Sequence, residues 1–241
     1  MSLLKVDNIH VYYGAIHAIK GISFEVNEGE IVTLIGANGA GKSTTLNTIA
    51  GLLKPRSGSI TFEGRNLLGM KAHKLVSQGM ALCPEGRRIF QLMTVRENLE
   101  MGGYSRPPQE IEGSLEDVFA RFPRLKERAR QLAGTLSGGE QQMLAVGRAL
   151  MSRPKLIMMD EVMAGLNPIE MEESIRFVKK VNQMGIAILF IEHVMKAVVN
   201  VCTRAIVINE GSFLSEGVPQ EVLKEPAVIA AYIGGKHHAE T

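Results

Sequence analysis

The sequence predicts an α/β fold in which a parallel sheet forms the core, an antiparallel β subdomain precedes it and an α-helical subdomain is inserted into it. Three observations support this fold class. Residues 31–35 form an apolar run that leads through a glycine-rich loop into a helical pattern. Residues 3–26 alternate apolar and polar side chains, as half-buried antiparallel strands do. Residues 86–150 carry mixed charge, few β-branched residues and helical spacing.

The composition is that of a globular protein that can bury a substantial core. Of the 241 residues, 45% are hydrophobic and 22% are charged, and we expect one elaborated domain rather than two small ones. The net charge is +2 and like charges form no long run, so nucleic acid is not an expected partner. Cys83 and Cys202 lie in apolar surroundings, which favours reduced thiols and a cytoplasmic location. No apolar run has the length of a membrane span or resembles a signal peptide.

The antiparallel subdomain is predicted from apolar–polar alternation at 3–6, 9–12 and 19–26. Two tyrosines, of which Tyr13 is the second, stand directly before Gly14. A ring at this position could stack on a nucleobase, because every base offers a flat π-face. The alternative, with one ring in the core and the other on the surface, fits the sequence equally well.

The loop behind residues 31–35 carries the strongest functional pattern. Gly36, four further residues and then Gly41-Lys42-Ser43 match the phosphate-loop spacing, with the strand and the helix that this pattern requires on either side. Glycines let the backbone N–H groups turn inward and the new helix adds its positive dipole end, so we expect a polyphosphate site. Lys42 would reach the β- and γ-phosphates, and Ser43 would offer a hydroxyl to Mg²⁺. The alternative is a glycine-rich turn with a surface lysine. The loop residues expected to bind nucleotide are Gly36, Asn38, Gly39, Ala40, Gly41, Lys42, Ser43 and Thr44.

Helical patterns in the inserted segment occur at 94–101, 111–122 and 125–132. A further helix begins at Ser137, which forms an S-x-x-E capping box with Glu140. The two glycines between them, one of which is Gly139, each destabilise a helix by about 1 kcal/mol relative to alanine, so close approach of a ligand is a reason for their presence. A capped structural helix with incidental glycines is the alternative. If this second anion site cannot converge with the phosphate loop, two copies in a two-fold dimer could sandwich two ATP molecules.

Two carboxylates follow the apolar strand pattern at 155–159. Ligands bind at the carboxyl ends of strands in open parallel sheets, so Asp160 and Glu161 should lie beside the phosphate loop. Asp160 suits holding Mg²⁺ through water, and Glu161 suits orienting or deprotonating the attacking water. Capping of the next turn is the alternative. The strand pattern at 186–191 brings His193 to the same edge, where it could contact the terminal phosphate or be a structural histidine.

The C-terminal part of the chain is expected to be structural. Strands are predicted at 205–209 and 212–215, and helices near 219–224 and 226–233. His237 and His238 are interpreted as part of a terminal tail rather than as a metal site.

Taken together, the loop at 36–44, the Leu136-Ser-Gly-Gly-Glu-Gln141 segment, the strand ending in Asp160 and Glu161, and His193 resemble the ATP-binding-cassette ATPases. The resemblance covers essentially the whole chain. It implies a P-loop NTPase (RecA-like) core in a single domain at 1–241, with the helical subdomain at about 86–155. It also implies ATP and Mg²⁺ as cofactors and ATP hydrolysis as the activity.

The resemblance assigns a role to individual residues. By it, Tyr13 stacks on the base, while Ser137 and Gly139, beside Glu140, contact the γ-phosphate held by a second subunit. Glu161 is the catalytic base, and His193 is the switch histidine. Glu85 stands where most cassette ATPases have a glutamine that contacts Mg²⁺ or water, so it is a candidate metal contact.

More narrowly, the segments at 11–19, 84–90, 93–99 and 122–128 resemble the ATP-binding subunits of branched-chain amino-acid importers. Such subunits pair with integral-membrane permeases and a second ATP-binding subunit, identical or paralogous, at the inner face of the cell membrane. An extracytoplasmic solute-binding protein acts indirectly.

The narrower resemblance is uneven along the chain. The segments at 162–168 and 192–197 look more like the partner ATP-binding subunit of those importers or like lipopolysaccharide-export ATPases. Val162, Met163 and Asn167 depart from the usual cassette pattern after the catalytic glutamate. The alternatives to amino-acid import are therefore another transport system of this type, such as lipopolysaccharide export, or a soluble cassette ATPase without a transport function.

Overall fold

The computed structural model describes residues 2–234, so His237 and His238 lie outside the described residues. In chain order the strands are β1 Ser2–Tyr13, β2 Ile16–Asn27, β3 Ile31–Ile35, β4 Ser57–Phe62, β5 Arg65–Asn66, β6 Met80–Cys83, β7 Leu156–Asp160, β8 Ala187–Ile191, β9 Arg204–Asn209 and β10 Ser212–Gly217. The helices are α1 Lys42–Ile49, α2 Ala72–Ser77, α3 Val95–Gly102, α4 Pro108–Arg121, α5 Pro123–Glu127, α6 Gly138–Leu150, α7 Pro168–Asn182, α8 Met195–Val201, α9 Pro219–Val222 and α10 Pro226–Gly234.

The N-terminal strands form an antiparallel sheet in the order β2-β1-β4-β5, as the alternating pattern predicts. The two predicted runs at 3–6 and 9–12 are one strand, because β1 continues through a register shift between Val6 and Ile9. Asn8 has a positive φ of 47° at this irregularity, and its backbone N–H donates to Ser23 Oγ at 2.8 Å. The strand therefore bends without ending.

The second sheet has the order β10-β9-β3-β8-β7-β6. Its strands are parallel, except that β10 runs antiparallel to β9. Every residue of β3, β7 and β8 is buried, as expected for strands covered on both faces. Because the parallel strands share a direction, the segments that follow β3, β6, β7 and β8 all leave the sheet at the same edge.

Helices α3 to α6 form the helical region. The predicted helix at 125–132 is wrong beyond its first turn, because α5 ends at Glu127. The backbone that follows pairs with the start of α3 instead. The N–H of Val95 donates to Gln131 O at 3.0 Å, and the N–H of Arg96 donates to Ala129 O at 2.9 Å. These bonds hold Ala129 and Gln131 against the start of α3 instead of in a continued α5.

The core has one hydrophobic cluster on each face of the parallel sheet, as the alternation within β8 illustrates. Ile188 and Phe190 pack towards the helical region, whereas Leu189 and Ile191 pack towards the antiparallel sheet and α1. Cys83 and Cys202 are buried free thiols, and burial raises the pKa of each to about 12. Between residues 2 and 234, no helix is long and apolar enough to cross a membrane.

Candidate functional site

The phosphate loop connects β3 to α1 and is closed by its own lysine. Lys42 Nζ donates to the carbonyl oxygens of Gly36 and Ala37 at 2.9 Å each. Burial lowers the pKa of Lys42, while the nearby Glu161 and Asp160 favour its charged form. Gly41, directly before α1, has a φ of 103° and no side chain caps the helix, so the first N–H groups of α1 are left to face a ligand.

Close packing leaves no room for a larger residue at the start of this loop. A Cβ on Gly36 would lie 2.1 Å from the carbonyl oxygen of Ile208 in β9. A Cβ on Gly39, which has a φ of 79°, would meet nothing within 4 Å. The two glycines therefore serve different needs: close approach of the sheet backbone at Gly36, and left-handed backbone geometry at Gly39.

Asp160 ends β7 beside the start of α1. Ser43 Oγ donates to Asp160 Oδ1 at 3.2 Å, which joins two of the three predicted metal-site residues across 117 positions of sequence. Burial raises the pKa of Asp160, and the charges of Glu161 and Glu85 add to this against the hydrogen bond from Ser43 and the charge of Lys42. The neighbouring carboxylates thus make the electrostatic environment of Asp160 favourable for a bound cation.

Glu161 and His193 form a close pair at the same sheet edge. His193 Nε2 lies 2.6 Å from Glu161 Oε1. Glu161 has a positive φ of 50°, and its N–H donates to the carbonyl of Ile191 at 2.9 Å. At this turn a carboxylate, which can accept a proton, and an imidazole therefore stand together.

One cavity of about 1120 Å³ collects most of the predicted nucleotide site. Tyr13 lies on its wall, with the hydroxyl 3.5 Å from Thr44 Oγ1. Gly36, Ala40 and Asp160 are buried and do not line this cavity. The predicted residues that line the cavity are Tyr13, Asn38, Gly39, Gly41, Lys42, Ser43, Thr44, Glu85, Glu161 and His193.

The Ser137 helix start is formed as the capping box predicts. The N–H of Glu140 donates to Ser137 Oγ at 3.2 Å, and the N–H of Ser137 donates to Glu140 Oε2 at 2.9 Å. Gly139 N–H donates to Glu170 Oε1 at 3.2 Å. Ser137, Gly139 and Glu140 line a separate cavity of about 480 Å³ and are absent from the wall of the larger one. Within one chain, the two predicted anion sites do not converge.

Several residues near the site were not predicted. His17, Lys20 and Glu210 line the larger cavity. Glu210 follows directly after β9, and the rule that ligands lie at strand carboxyl ends would have found it. Glu192 is 1% exposed and binds backbone N–H groups on two segments. Glu170 belongs to an Asn-Pro-x-Glu capping box at the start of α7 that the sequence contains.

The donor set at Ser43 and Asp160 fits Mg²⁺. It offers oxygen atoms, which this hard cation prefers, and surplus negative charge from neighbouring carboxylates. In the described part of the chain, no group of three His, Cys, Asp or Glu side chains is arranged to hold a metal ion. Mg²⁺ bound here would therefore take further ligands from phosphate and water, as it commonly does.

Comparison with known proteins identifies the family. A model of the ABC transporter family matches residues 19–164. The chain belongs to the ABC transporter family. A second model, described as branched-chain amino acid ATP-binding cassette transporter, matches residues 214–238 of this ABC ATPase.

The relatives of this ABC ATPase match it along nearly their whole length. It is 43% identical to the high-affinity branched-chain amino acid transport ATP-binding protein BraG of Pseudomonas aeruginosa, over 97% of this chain and 100% of that protein. It is 30% identical to the lipopolysaccharide export system ATP-binding protein LptB of Haemophilus influenzae, over 97% and 98%. A crystal structure of a nucleotide-free ATP-binding cassette from an ABC transporter has a TM-score of 0.89 at 31% identity, covering 97% of this chain and 100% of that one.

These findings confirm the predicted fold class and the resemblance to the ATP-binding-cassette ATPases. The ADP conformation of the cassette MJ1267 matches at a TM-score of 0.88 and 32% identity, covering 97% of this chain and 99% of that one. The chain is an ATP-binding and ATP-hydrolysing subunit that powers membrane transport.

Proposed function

We propose that this ABC ATPase powers the import of branched-chain or other hydrophobic amino acids. The observation that carries the proposal is the 43% identity to BraG over the full length of that protein. The match of residues 214–238 to the branched-chain amino acid cassette model supports it at the C-terminal end. Lipopolysaccharide export is the second candidate, supported by the 30% identity to LptB.

The proposed partners are integral-membrane permease subunits, a second ATP-binding subunit and, indirectly, an extracytoplasmic solute-binding protein. The chain would act as a single cassette at 1–241 on the cytoplasmic face of the membrane, without binding nucleic acid. We assign the helical subdomain to about 86–155. The surface just after Glu85 is the candidate for permease contact, because Glu85 lines the nucleotide cavity while Phe90 and Leu92, a few residues later, are exposed apolar side chains.

For ATP binding, Tyr13 stacks on the base, and the backbone N–H groups of the phosphate loop surround the phosphates. Lys42 leaves the two loop carbonyls that it now binds and turns to the β- and γ-phosphates. Ser43 and Asp160, with Glu85 nearby, would hold Mg²⁺. Mg²⁺, when bound, neutralises charge on the phosphate oxygens.

For hydrolysis, Glu161 orients the attacking water and accepts its proton. His193, 2.6 Å from Glu161, holds this carboxylate and contacts the terminal phosphate. Positioning and charge neutralisation carry most of the rate acceleration in phosphoryl transfer, and the loop and Lys42 provide both.

The site is completed by a second subunit. Because Ser137, Gly139 and Glu140 line a different cavity from the phosphate loop, they serve the nucleotide of a partner subunit. Two ATP molecules would then lie between two chains, each between one phosphate loop and one Ser137 helix.

Glu161→Gln tests the role of Glu161. The variant keeps the shape and hydrogen-bonding reach of the side chain but cannot accept the proton at neutral pH. We expect Mg²⁺-dependent ATP turnover to fall by about 10²-fold or more, since a general base contributes 10²–10⁴-fold. ATP binding should persist, and a stable ATP-bound dimer should appear in size-exclusion chromatography. The control is Glu25→Gln, which removes an exposed carboxylate paired with Lys5. Unchanged hydrolysis in Glu161→Gln would remove Glu161 from this role.

The transported substrate is tested through the partners. Affinity purification of the tagged chain from solubilised membranes should recover two permease proteins, and reconstitution with them should give ATP turnover that rises with an amino-acid-loaded binding protein. Stimulation by lipopolysaccharide instead would replace the import proposal by export. Failure to recover any membrane protein would contradict both the import and the export proposal.

A further inference from the structure

Glu192 is a buried carboxylate to which neither the fold prediction nor the proposed mechanism gives a role. It follows β8 directly, is 1% exposed and forms no salt bridge among the described residues. Burial raises its pKa, and nearby Glu161 adds to this, while backbone N–H groups of Met163, Val194 and His193 offset part of the effect. Burial of an ionised carboxylate without a paired cation is energetically costly, so other contacts must offset the cost.

The hydrogen bonds of Glu192 join two segments of the chain. The N–H of Met163 donates to Glu192 Oε1 at 2.6 Å, and the N–H of His193 donates to Glu192 Oε2 at 3.2 Å. Met163 belongs to the segment between Glu161 and α7, whereas His193 follows β8. One side chain therefore holds the backbones on which Glu161 and His193 stand.

Among the described residues, one backbone–backbone hydrogen bond beyond the β7–β8 ladder joins these two segments. The N–H of Glu161 donates to the carbonyl of Ile191 at 2.9 Å, which ties the ends of β7 and β8, whereas the N–H of Ala164 bonds within its own segment, to Glu161 O at 3.2 Å. The bond from Met163 fixes that segment two residues further on. The 2.6 Å contact between His193 Nε2 and Glu161 Oε1 spans the same two backbones. Its geometry therefore depends on both links.

We propose that Glu192 is a positioning residue for ATP hydrolysis, which holds the segment after Glu161 against the backbone of His193 and so sets the distance between these two side chains. The proposal rests on the roles given above to Glu161 and His193. Glu192 itself does not touch the nucleotide cavity and is not a catalytic residue.

Glu192→Gln weakens this function with little change in shape. The groups that hydrogen-bond to the carboxylate are backbone N–H donors, and an amide has only one acceptor oxygen. The amide nitrogen would therefore oppose either Met163 N–H or His193 N–H, and one link would be lost. Glu192→Asp keeps both acceptors but draws them back by one methylene, so it should lie between the parent and Glu192→Gln.

The experiment measures Mg²⁺-dependent ATP turnover of the full chain, per folded molecule, over a range of ATP concentrations. For Glu192→Gln we expect kcat to fall about tenfold with KM for ATP within about twofold, because misplacement of reacting groups acts on the chemical step. Hydrogen exchange should accelerate in peptides covering 162–166 and 192–195 and stay unchanged in α1. The control Glu25→Gln should match the parent in both measurements.

A purely structural role for Glu192 predicts a different pattern. The variants would then unfold at lower temperature while kcat per folded molecule stayed within twofold of the parent, and this result would overturn the proposal. If Glu192→Gln does not fold, Glu192→Asp is read by the same criteria. Parallel measurement of Glu161→Gln separates the two claims: undiminished turnover there contradicts the proposed function, whereas loss there with full kcat in the Glu192 variants contradicts only this inference.

Discussion

Replacement of Gly36 by alanine should damage the protein far more than the same replacement at Gly39, three residues along the same loop. The Cβ of an alanine at position 36 would lie 2.1 Å from Ile208 O and 3.1 Å from the Cβ of Ala40. Ile208 belongs to β9, whose backbone pairs with β3 up to Ile35 and Val207. Relief of the contact therefore requires the two strands to separate at the point where the phosphate loop begins.

The size of the effect follows from these contacts. Insertion of a methyl group into packed structure destabilises by about 1–3 kcal/mol, and displacement of backbone rather than a side chain places Gly36→Ala at about 3 kcal/mol. Gly39→Ala has open space around its Cβ and incurs only the left-handed backbone penalty, about 1 kcal/mol. Since 1 kcal/mol shifts the unfolding midpoint of a chain of this size by about 2–4 °C, the two variants should differ by about 4–8 °C.

Thermal unfolding of both variants and the parent, followed by circular dichroism without nucleotide, measures this difference. ATP affinity should also fall further in Gly36→Ala, because the displaced loop no longer presents its N–H groups together. Equal midpoints for Gly36→Ala and Gly39→Ala would refute the steric reasoning.

Three further predictions concern other parts of the chain. Asn98 is fully buried and binds both the N–H and the carbonyl of Phe90. Asn98→Leu should therefore lower the free energy of unfolding, measured in urea, by about 2–3 kcal/mol and accelerate hydrogen exchange at 89–93. Unchanged exchange would contradict this prediction. Tyr13→Ala should weaken ATP binding about 5- to 150-fold in calorimetry, as expected for loss of about 1–3 kcal/mol of base stacking, and equal affinity would exclude the stacking role. Burial raises the pKa of Glu30, but hydrogen bonds from Arg204 and Asn27 outweigh burial, so the pKa is lowered. The ionised Glu30 therefore stabilises the folded chain fully only above the pKa of an unfolded glutamate, about 4.3. Glu30→Gln should therefore be less stable than the parent at pH 7 by about 1–3 kcal/mol, because it loses the ion pair with Arg204. This difference should shrink as the pH falls through the pKa of Glu30 in the folded chain. A constant difference down to pH 3 would contradict the coupling between ionisation of Glu30 and stability.

The sequence predicts the parts of the site that depend on local pattern and strand direction. The phosphate loop lies between a buried strand and a helix, and Asp160 and His193 lie at strand ends, because parallel strands deliver their carboxyl ends to one edge. The capping box at Ser137 is also correct, since its hydrogen bonds span only three residues.

The errors and omissions depend on contacts between distant segments. A turn replaces the predicted helix after Glu127, where the N–H groups of Val95 and Arg96 in α3 donate to the carbonyls of Gln131 and Ala129. Glu192 reads as an ordinary polar residue after a strand until β7 and β8 are placed side by side. The contact between Gly139 and Glu170 likewise exists only after α6 and α7 have packed together, although the capping box that holds Glu170 was present in the sequence.

The position of β3 between β8 and β9 has a consequence for the time at which the nucleotide site forms. Both neighbours of the strand that carries the phosphate loop come from the last quarter of the chain, and Ile208 O closes the space beside Gly36. A nascent chain on the ribosome therefore contains the loop sequence long before it contains the walls that shape it. Synthesis through β9 must precede assembly of the loop, so a chain that terminates early lacks the means to sequester ATP.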